Sequence, residues 1–218
     1  MPASIRLVRI PPLQLGAELR VPPAPRGLII FAHGSGSSRF SPRNQAVAQA
    51  LVEAGFATLL LDLLTEEEAA RRENVFDIDL LGERLVQAID WAGGEPGLDR
   101  LAIGLFGAST GAGAALRAAA ARQGSVHAVV SRGGRPDLAG AALAAVRAPT
   151  LLIVGGRDEA VIDLNRRAMG QMSAEVVLEI VPGATHLFEE PGTLEAVIRL
   201  AIGWCRAHLA AAAGAPAG

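Results

Sequence analysis

The stretch Leu101-Ala-Ile-Gly-Leu-Phe-Gly-Ala-Ser-Thr-Gly-Ala-Gly-Ala114 runs from an apolar segment through a glycine-flanked serine into an alanine-rich segment. This pattern predicts a strand, a sharp turn and a helix, with Ser109 at the turn. Small flanking residues let the backbone bend tightly, which projects the serine hydroxyl over the edge of a sheet. The N–H of Thr110, at the start of the helix, is placed to donate to an oxyanion. The stretch therefore predicts a nucleophilic serine.

Two candidate partners for Ser109 follow it along the chain. Asp158 comes just after an apolar run at 149–154, and His186 comes just after the next strand-like run, at 175–181. The order serine, acid, histidine is the one used on sheets in which strands and helices alternate. We predict that His186 takes the Ser109 proton as general base, while Asp158 holds its ring in the productive tautomer.

Other interpretations of these two partners are open. Asp158 is also a favoured residue for capping the helix that starts near Val161, and the neighbouring Glu159 offers a second carboxylate. His186 could be an ordinary surface histidine. The remaining histidines fit the role of base less well, because they precede a loop, begin a buried-looking strand or lie on the C-terminal helix: His33, His127 and His208.

A second loop is rich in glycine and serine. A strand predicted at 27–32 ends in His33-Gly-Ser-Gly-Ser-Ser38, and glycines let backbone N–H groups approach a developing negative charge closely. We predict that Ser35 gives the second oxyanion N–H, with Gly36 as the next choice, that Gly34 and Gly36 contact the substrate, and that His33 orients the loop. The alternatives are a flexible turn without function and a phosphate loop, which would need a lysine that is missing here.

Strands and helices alternate along most of the chain. We predict strands at 4–10, 13–21, 27–32, 56–62, 100–106, 126–131, 149–154 and 175–181, and helices at about 42–54, 77–92, 110–122, 137–145, 160–171 and 193–210. This order predicts an α/β fold with a mostly parallel, doubly wound sheet and an antiparallel N-terminal edge. We expect one domain over residues 1–210 and a disordered tail over 211–218. A dinucleotide-binding fold is disfavoured because no Gly-x-Gly-x-x-Gly follows the first parallel strand.

Composition narrows the classes of function. The chain has 218 residues, half of them apolar, which is enough for one domain with a sizeable core. A net charge of −2 gives no basis for binding nucleic acid or a membrane surface. Cys205 is the single cysteine, so no internal disulfide can form and a cytoplasmic location is expected. No metal-binding or cofactor motif is found, so we expect neither a metal nor a cofactor. Monomer and homodimer are both open.

The collected motifs resemble the α/β-hydrolase superfamily, on its dienelactone-hydrolase-like side. They are also similar to small bacterial hydrolases that occur alone or fused to a phosphoribosyltransferase domain. The resemblance spans roughly 28–209 and implies an α/β-hydrolase fold without a cap domain. Dienelactone hydrolases proper carry cysteine where this chain has Ser109, and no phosphoribosyltransferase domain is found here. Besides the sharp turn at Ser109, hereafter the elbow, and its two partners, four segments carry the resemblance: His33 to Arg39, Ser41 to Asn44, Leu61 to Thr65 and Ser131 to Asp137.

The segments around the predicted site bear on the substrate. Only a loop and a short helix fit between Ser131 and Ala148, so we expect an open site bordered by the charged segment Thr65 to Phe76, which is either a solvated helical turn or a substrate gate. Arginines near the carboxyl edge of the sheet are hypothesised to bind a substrate carboxylate or phosphate, with surface salt bridges as the alternative. They are Arg39, Arg132 and Arg135.

These features together predict a serine hydrolase that cleaves carboxylic esters of small to medium acyl groups through an acyl-enzyme intermediate. A thioesterase, a peptidase or an acyltransferase could use the same three residues. A ligand-binding module without catalysis is the alternative from another class, since fold does not fix function.

Overall fold

The computed structural model describes residues 3–212. Eight strands form one sheet in the order β1-β2-β4-β3-β5-β6-β7-β8. Strands β3 to β8 run parallel, whereas β2 pairs antiparallel with both β1 and β4. The strands are β1 (Ser4–Ile10), β2 (Leu15–Val21), β3 (Leu28–Ala32), β4 (Ala57–Leu61), β5 (Ile103–Ala108), β6 (Val126–Arg132), β7 (Thr150–Gly155) and β8 (Val176–Val181). The predicted α/β architecture with an antiparallel N-terminal edge is confirmed.

Helices cover both faces of this sheet. They are α1 (Pro42–Glu53), α2 (Glu66–Ala69), α3 (Arg72–Phe76), α4 (Ile78–Gly94), α5 (Thr110–Ala121), α6 (Glu159–Met169) and α7 (Thr193–Ala212). Alternate residues of β3 point to opposite faces, as in any strand. Leu28 and Ile30 pack with α4 and α5, while Ile29 and Phe31 pack with α1 and α7. The central strands are therefore buried on both sides, which accounts for their continuous apolar sequences.

Three predicted elements differ from the observed ones. The strand predicted at 100–106 is β5, which starts at Ile103 and continues to Ala108, because Gly107 and Ala108 still pair with β6. The helix predicted at 137–145 is a 3-10 helix, Pro136–Ala145, interrupted at Gly140, whose φ is +54°. The predicted tail is helical at residues 211–212, where α7 continues, and its remainder, 213–218, lies outside the described residues.

No cap domain separates β6 from β7, since the interval holds only the 3-10 helix and short connections. The carboxyl ends of β3, β5, β6 and β7 therefore meet at one open edge of the sheet, where ligands bind in open α/β folds. None of the helices within residues 3–212 combines the length and apolarity needed to traverse a bilayer.

Candidate active site

Ser109 lies on a strained turn between β5 and α5. Its φ of +52° and ψ of −122° are unusual for a residue with a side chain, and such strain clusters at functional sites. The turn packs too closely for larger neighbours. A Cβ on Gly107 would lie 2.4 Å from Ala112 Cα, and a Cβ on Gly111 would lie 2.3 Å from the Ala32 carbonyl oxygen. The two glycines in the sequence pattern are therefore required by backbone contact.

Two side chains connect to Ser109 through hydrogen bonds. His186 Nε2 lies 3.2 Å from Ser109 Oγ, and His186 Nδ1 lies 2.7 Å from Asp158 Oδ2. A carboxylate can only accept, so Nδ1 carries the proton and Nε2 presents its lone pair to the serine hydroxyl. The structure thus brings together the three residues that the sequence placed on separate loops, in an arrangement suited to transferring the serine proton.

The structure distinguishes between Asp158 and Glu159, the two candidate carboxylates. Asp158 occupies the N-cap position of α6, but its side chain makes no capping hydrogen bond. Its carboxylate contacts His186 instead. Glu159 begins the first turn of α6 and is exposed. Asp158 is therefore the carboxylate that contacts His186.

His33 lies beneath the glycine-serine loop, as the sequence suggested. Its Nε2 accepts the Leu63 N–H at 3.2 Å, and its Nδ1 lies 3.0 Å from the Gly34 carbonyl oxygen. Burial lowers the pKa of His33, which keeps the ring neutral and able to accept. The ring links the loop to the segment after β4, so its position is that of an orienting residue.

The predicted oxyanion donors are adjacent but not equivalent. The Thr110 N–H is the first of α5 and has no described acceptor, as expected at a helix start. The Ser35 N–H, in contrast, donates to Thr110 Oγ1 at 2.9 Å. In this structure a threonine hydroxyl is therefore the acceptor of the Ser35 N–H, and the role of Ser35 as an oxyanion donor stays a prediction. Gly36, the second choice, has a φ of +70° and donates to no described acceptor.

A cavity of about 410 Å³ opens at Ser109. Its wall includes the loop residues Gly34, Ser35 and Gly36, together with His186 and Arg132. Four of the predicted site and substrate residues thus share one cavity with the serine and the histidine.

Two other arginines are not part of this cavity. Arg39 forms an ion pair with Asp62, and its guanidinium stacks on Phe40 at 4.2 Å. Arg135 pairs with Asp137 at 2.8 Å. The structure does not bring Arg39 into the cavity at Ser109, and its contact with the substrate stays a prediction. A position near the carboxyl edge of the sheet was a weak criterion for an anion-binding arginine. Arg39 and Arg135 each form an ion pair with a nearby carboxylate, and the sequence does not reveal these pairs.

Sequence reasoning assigned no role to two residues that line the cavity, Arg43 and Asn44. Asn44 is 2% exposed, and its Oδ1 accepts from Arg132 Nη2 at 3.2 Å. Both residues belong to the first turn of α1, which starts at a proline after the glycine-serine loop. A proline is common at the first position of a helix, so Pro42 was the signal in the sequence that α1 begins beside the site.

A second cavity of about 350 Å³ lies on the other side of the glycine-serine loop. It shares Gly34 to Ser37 with the first cavity, and its far wall comes from the segment at 65–76. That segment forms α2 and α3, which bury none of their residues, so the predicted solvated helical turn is confirmed. Apolar side chains contribute to this cavity: Leu64, Ala69, Val75 and Leu81.

Across the described part of the chain, no group of three or more His, Cys, Asp or Glu side chains is arranged to hold a metal ion. The polar groups at the site are instead a serine, an imidazole, a carboxylate and backbone N–H donors. This set is suited to acyl transfer.

Curated relatives place the chain among known proteins. It is 59% identical over 198 residues to proteins of two Mycobacterium tuberculosis strains, CDC 1551 and H37Rv, which carry the provisional name phosphoribosyl transferase. The match covers 91% of this chain but 45% of each relative. The chain therefore spans about half the length of these relatives.

Solved structures are similar over nearly the whole chain. A crystal structure of dienelactone hydrolase from Anabaena variabilis is 53% identical with a TM-score of 0.91, covering 95% of this chain and 98% of that one. Est1E from Butyrivibrio proteoclasticus is 18% identical with a TM-score of 0.74, covering 92% and 98%, and shares the fold. Residues 25–199 match the family described as alpha/beta hydrolase domain. By that match and by its similarity to dienelactone hydrolase, the chain belongs to the alpha/beta hydrolase family, on its dienelactone-hydrolase-like side.

Proposed function

We propose that the chain is a serine hydrolase that cleaves carboxylic esters of small to medium acyl groups through an acyl-enzyme intermediate. The observation that supports this most directly is the hydrogen-bonded series from Ser109 Oγ through His186 to Asp158, with distances of 3.2 and 2.7 Å. It lies on a strained elbow beside an open cavity. Nucleophile, base and orienting acid are the three components that acyl transfer by a serine needs.

The proposed reaction has two steps. Ser109 Oγ attacks the ester carbonyl carbon while His186 Nε2 takes the hydroxyl proton. The tetrahedral intermediate then collapses, and His186 returns that proton to the departing alcohol oxygen, which leaves the acyl group on Ser109. Water attacks the acyl-enzyme with His186 as base, releasing the carboxylic acid and restoring the serine. Asp158 stabilises the protonated ring in both steps.

For the oxyanion we propose the N–H groups of Thr110 and Ser35. An amide hydrogen can be shared between two acceptors, so the Ser35 N–H need not leave Thr110 Oγ1 fully to reach a new negative charge. In this proposal the threonine hydroxyl positions the loop amide near Ser109. A carbonyl oxygen that becomes an oxyanion would then receive two backbone donors.

The substrate size follows from the cavities. The second cavity, of about 350 Å³, has an apolar wall and adjoins the serine cavity through the shared loop. We propose that it takes the acyl chain, and that Gly34 and Gly36 contact the ester between the two cavities. Of the two differently named relatives at more than 50% identity, dienelactone hydrolase has the name that is compatible with ester chemistry. The phosphoribosyl transferase name belongs to proteins about twice as long.

The single cysteine does not offer a competing nucleophile. Cys205 is buried on α7, and burial raises the pKa of its thiol to about 12. A thiol in that environment stays protonated and unreactive. We therefore propose Ser109 as the nucleophile. We further propose a small-molecule ester as the partner, with no cofactor and no binding of nucleic acid or membrane, and a cytoplasmic location.

Hydrolysis of para-nitrophenyl esters from acetate to decanoate tests this function. We expect turnover by the intact chain with a maximum at short or medium chains, and loss of at least about 10⁴-fold in kcat for Ser109→Ala. Glu159→Gln is the matched control, since that carboxylate lies beside Asp158 without touching His186. Equal rates for the intact chain and Ser109→Ala would reject the serine as nucleophile.

A further inference from the structure

Arg132 places a positive charge in the wall of the serine cavity. It ends β6, and its carbonyl oxygen accepts the Ser109 N–H at 3.2 Å. Its side chain lines the same cavity as Ser109 and His186. Only 6% of the residue is exposed. The guanidinium is thus buried next to the site at which the ester would react.

This guanidinium has one described protein partner. Nη2 donates to Asn44 Oδ1 at 3.2 Å, while Nε is buried without an acceptor. Arg20, by comparison, is 9% exposed and has an ion pair with Glu18 at 2.5 Å. No carboxylate within residues 3–212 forms such a pair with Arg132. The buried charge is therefore uncompensated in the protein alone.

The positive charge of the neighbouring Arg43 adds to the uncompensated charge of Arg132. Burial and the positive charge of Arg43 lower the pKa of Arg132 to about 10, which leaves the group charged at neutral pH. Arg43 lines the same cavity, and its own partner is the exposed Glu189 at 3.0 Å. Unpaired buried charges are costly and are kept where function uses them.

We propose that the cavity beside Ser109 binds an anionic group of the substrate, a carboxylate or a phosphate, on the guanidinium of Arg132. This inference rests on the proposed ester hydrolysis and specifies its substrate class. A guanidinium offers a planar pair of donors that matches either anion. Asn44 fixes the orientation of the guanidinium, and Arg43 adds a second positive charge that attracts anions to the cavity. The substrate is then an ester that also carries a negative charge.

Matched pairs of esters test the proposal on either side of the scissile bond. On the acyl side, the mono-para-nitrophenyl ester of adipate is compared with para-nitrophenyl pentanoate. On the alcohol side, para-acetoxybenzoate and para-acetoxyphenyl phosphate are compared with phenyl acetate. The phosphate and carboxylate esters distinguish the two anions. For each pair the measured quantity is the ratio of kcat/KM for the charged ester to that for the neutral ester.

We expect a ratio of about ten or more for at least one charged ester, and about a tenfold fall of that ratio in Arg132→Gln. Arg135→Gln is the control, because Arg135 is paired with Asp137 outside the cavity and its loss leaves the ratio unchanged. Ratios near one in every pair, or a preference that survives Arg132→Gln, would overturn the proposal.

Binding separates this inference from the proposed hydrolysis. Inorganic phosphate and adipate are titrated into Ser109→Ala, and into Ser109→Ala combined with Arg132→Gln, while Tm is followed. A rise in Tm that needs Arg132 supports the anion site even if no ester is turned over. The absence of any such rise, together with ratios near one, rejects the anion site whatever the fate of the serine.

Discussion

Replacing the unpaired Arg132 with methionine is expected to stabilise the protein. The lowering of its pKa to about 10 corresponds to a cost of about 3 kcal/mol for holding the charged form in the native state. Arg132→Met removes that cost. It also leaves Asn44 Oδ1 without its hydrogen bond, which costs about 1 kcal/mol. The net gain in the free energy of unfolding is about 2 kcal/mol.

For a chain of 218 residues, this gain raises Tm by about 4–8 °C. The pH dependence of this gain in the free energy of unfolding follows from the lowered pKa of Arg132. The native state bears the full cost of the buried charge at every pH at which Arg132 is protonated. The difference in the free energy of unfolding between the intact chain and Arg132→Met therefore stays constant around neutral pH. It shrinks only as pH rises through about 10, where the native arginine loses its proton.

The assay is thermal unfolding followed by circular dichroism, in buffer without phosphate. Arg20→Met is the control with the opposite sign. Arg20 is also largely buried, but it donates to Glu18 at 2.6 Å and to Gln49 at 3.3 Å, so its loss lowers Tm. A fall of Tm in Arg132→Met would mean that the guanidinium has a stabilising partner in the protein, which would contradict an uncompensated buried charge.

The remaining predictions concern the elbow and its partners. Asp158→Asn is expected to lower kcat by about 10⁴-fold, because His186 then loses its productive tautomer, while Glu159→Gln changes kcat little in the same ester assay. Thr110→Val is expected to lower kcat about tenfold with little change in KM, since the Ser35 N–H loses its positioning acceptor, and Thr110→Ser restores the rate. Gly111→Ala is expected to reduce soluble yield and Tm, because its Cβ would meet backbone at 2.3 Å. An unaffected Tm in that variant would contradict the close contact at the elbow.

The order of strands and helices could be predicted because the central strands are short, largely apolar segments, most of them with glycine or proline near their ends. The limits of β5 could not be predicted, because Gly107 and Ala108 are residue types common in turns, and their pairing depends on β6. The sequence predicts a helix at about 137–145. Gly140 interrupts it at a positive φ, and 3-10 geometry replaces the α-helix.

The site was predictable where spacing along the chain determines position at the edge of the sheet. Ser109, Asp158 and His186 each follow a parallel strand, so their proximity follows from topology. Contacts between distant side chains were not predictable: the Ser35 N–H to Thr110 Oγ1 bond spans 75 residues, and the pairing of Arg39 with Asp62 joins two loops. Such contacts depend on the packing of the loops, which no local pattern encodes.

Labelling with a fluorophosphonate probe, followed by peptide mass spectrometry, tests whether Ser109 is the nucleophile. Cleavage after arginine releases residues 101–117 as one peptide, in which Ser109 and Thr110 carry the hydroxyl groups. We predict a single adduct, on Ser109 of this peptide, that is absent from Ser109→Ala and forms far more slowly in His186→Ala. An adduct that persists in Ser109→Ala, or ester turnover by a chain that the probe leaves unmodified, would contradict the account.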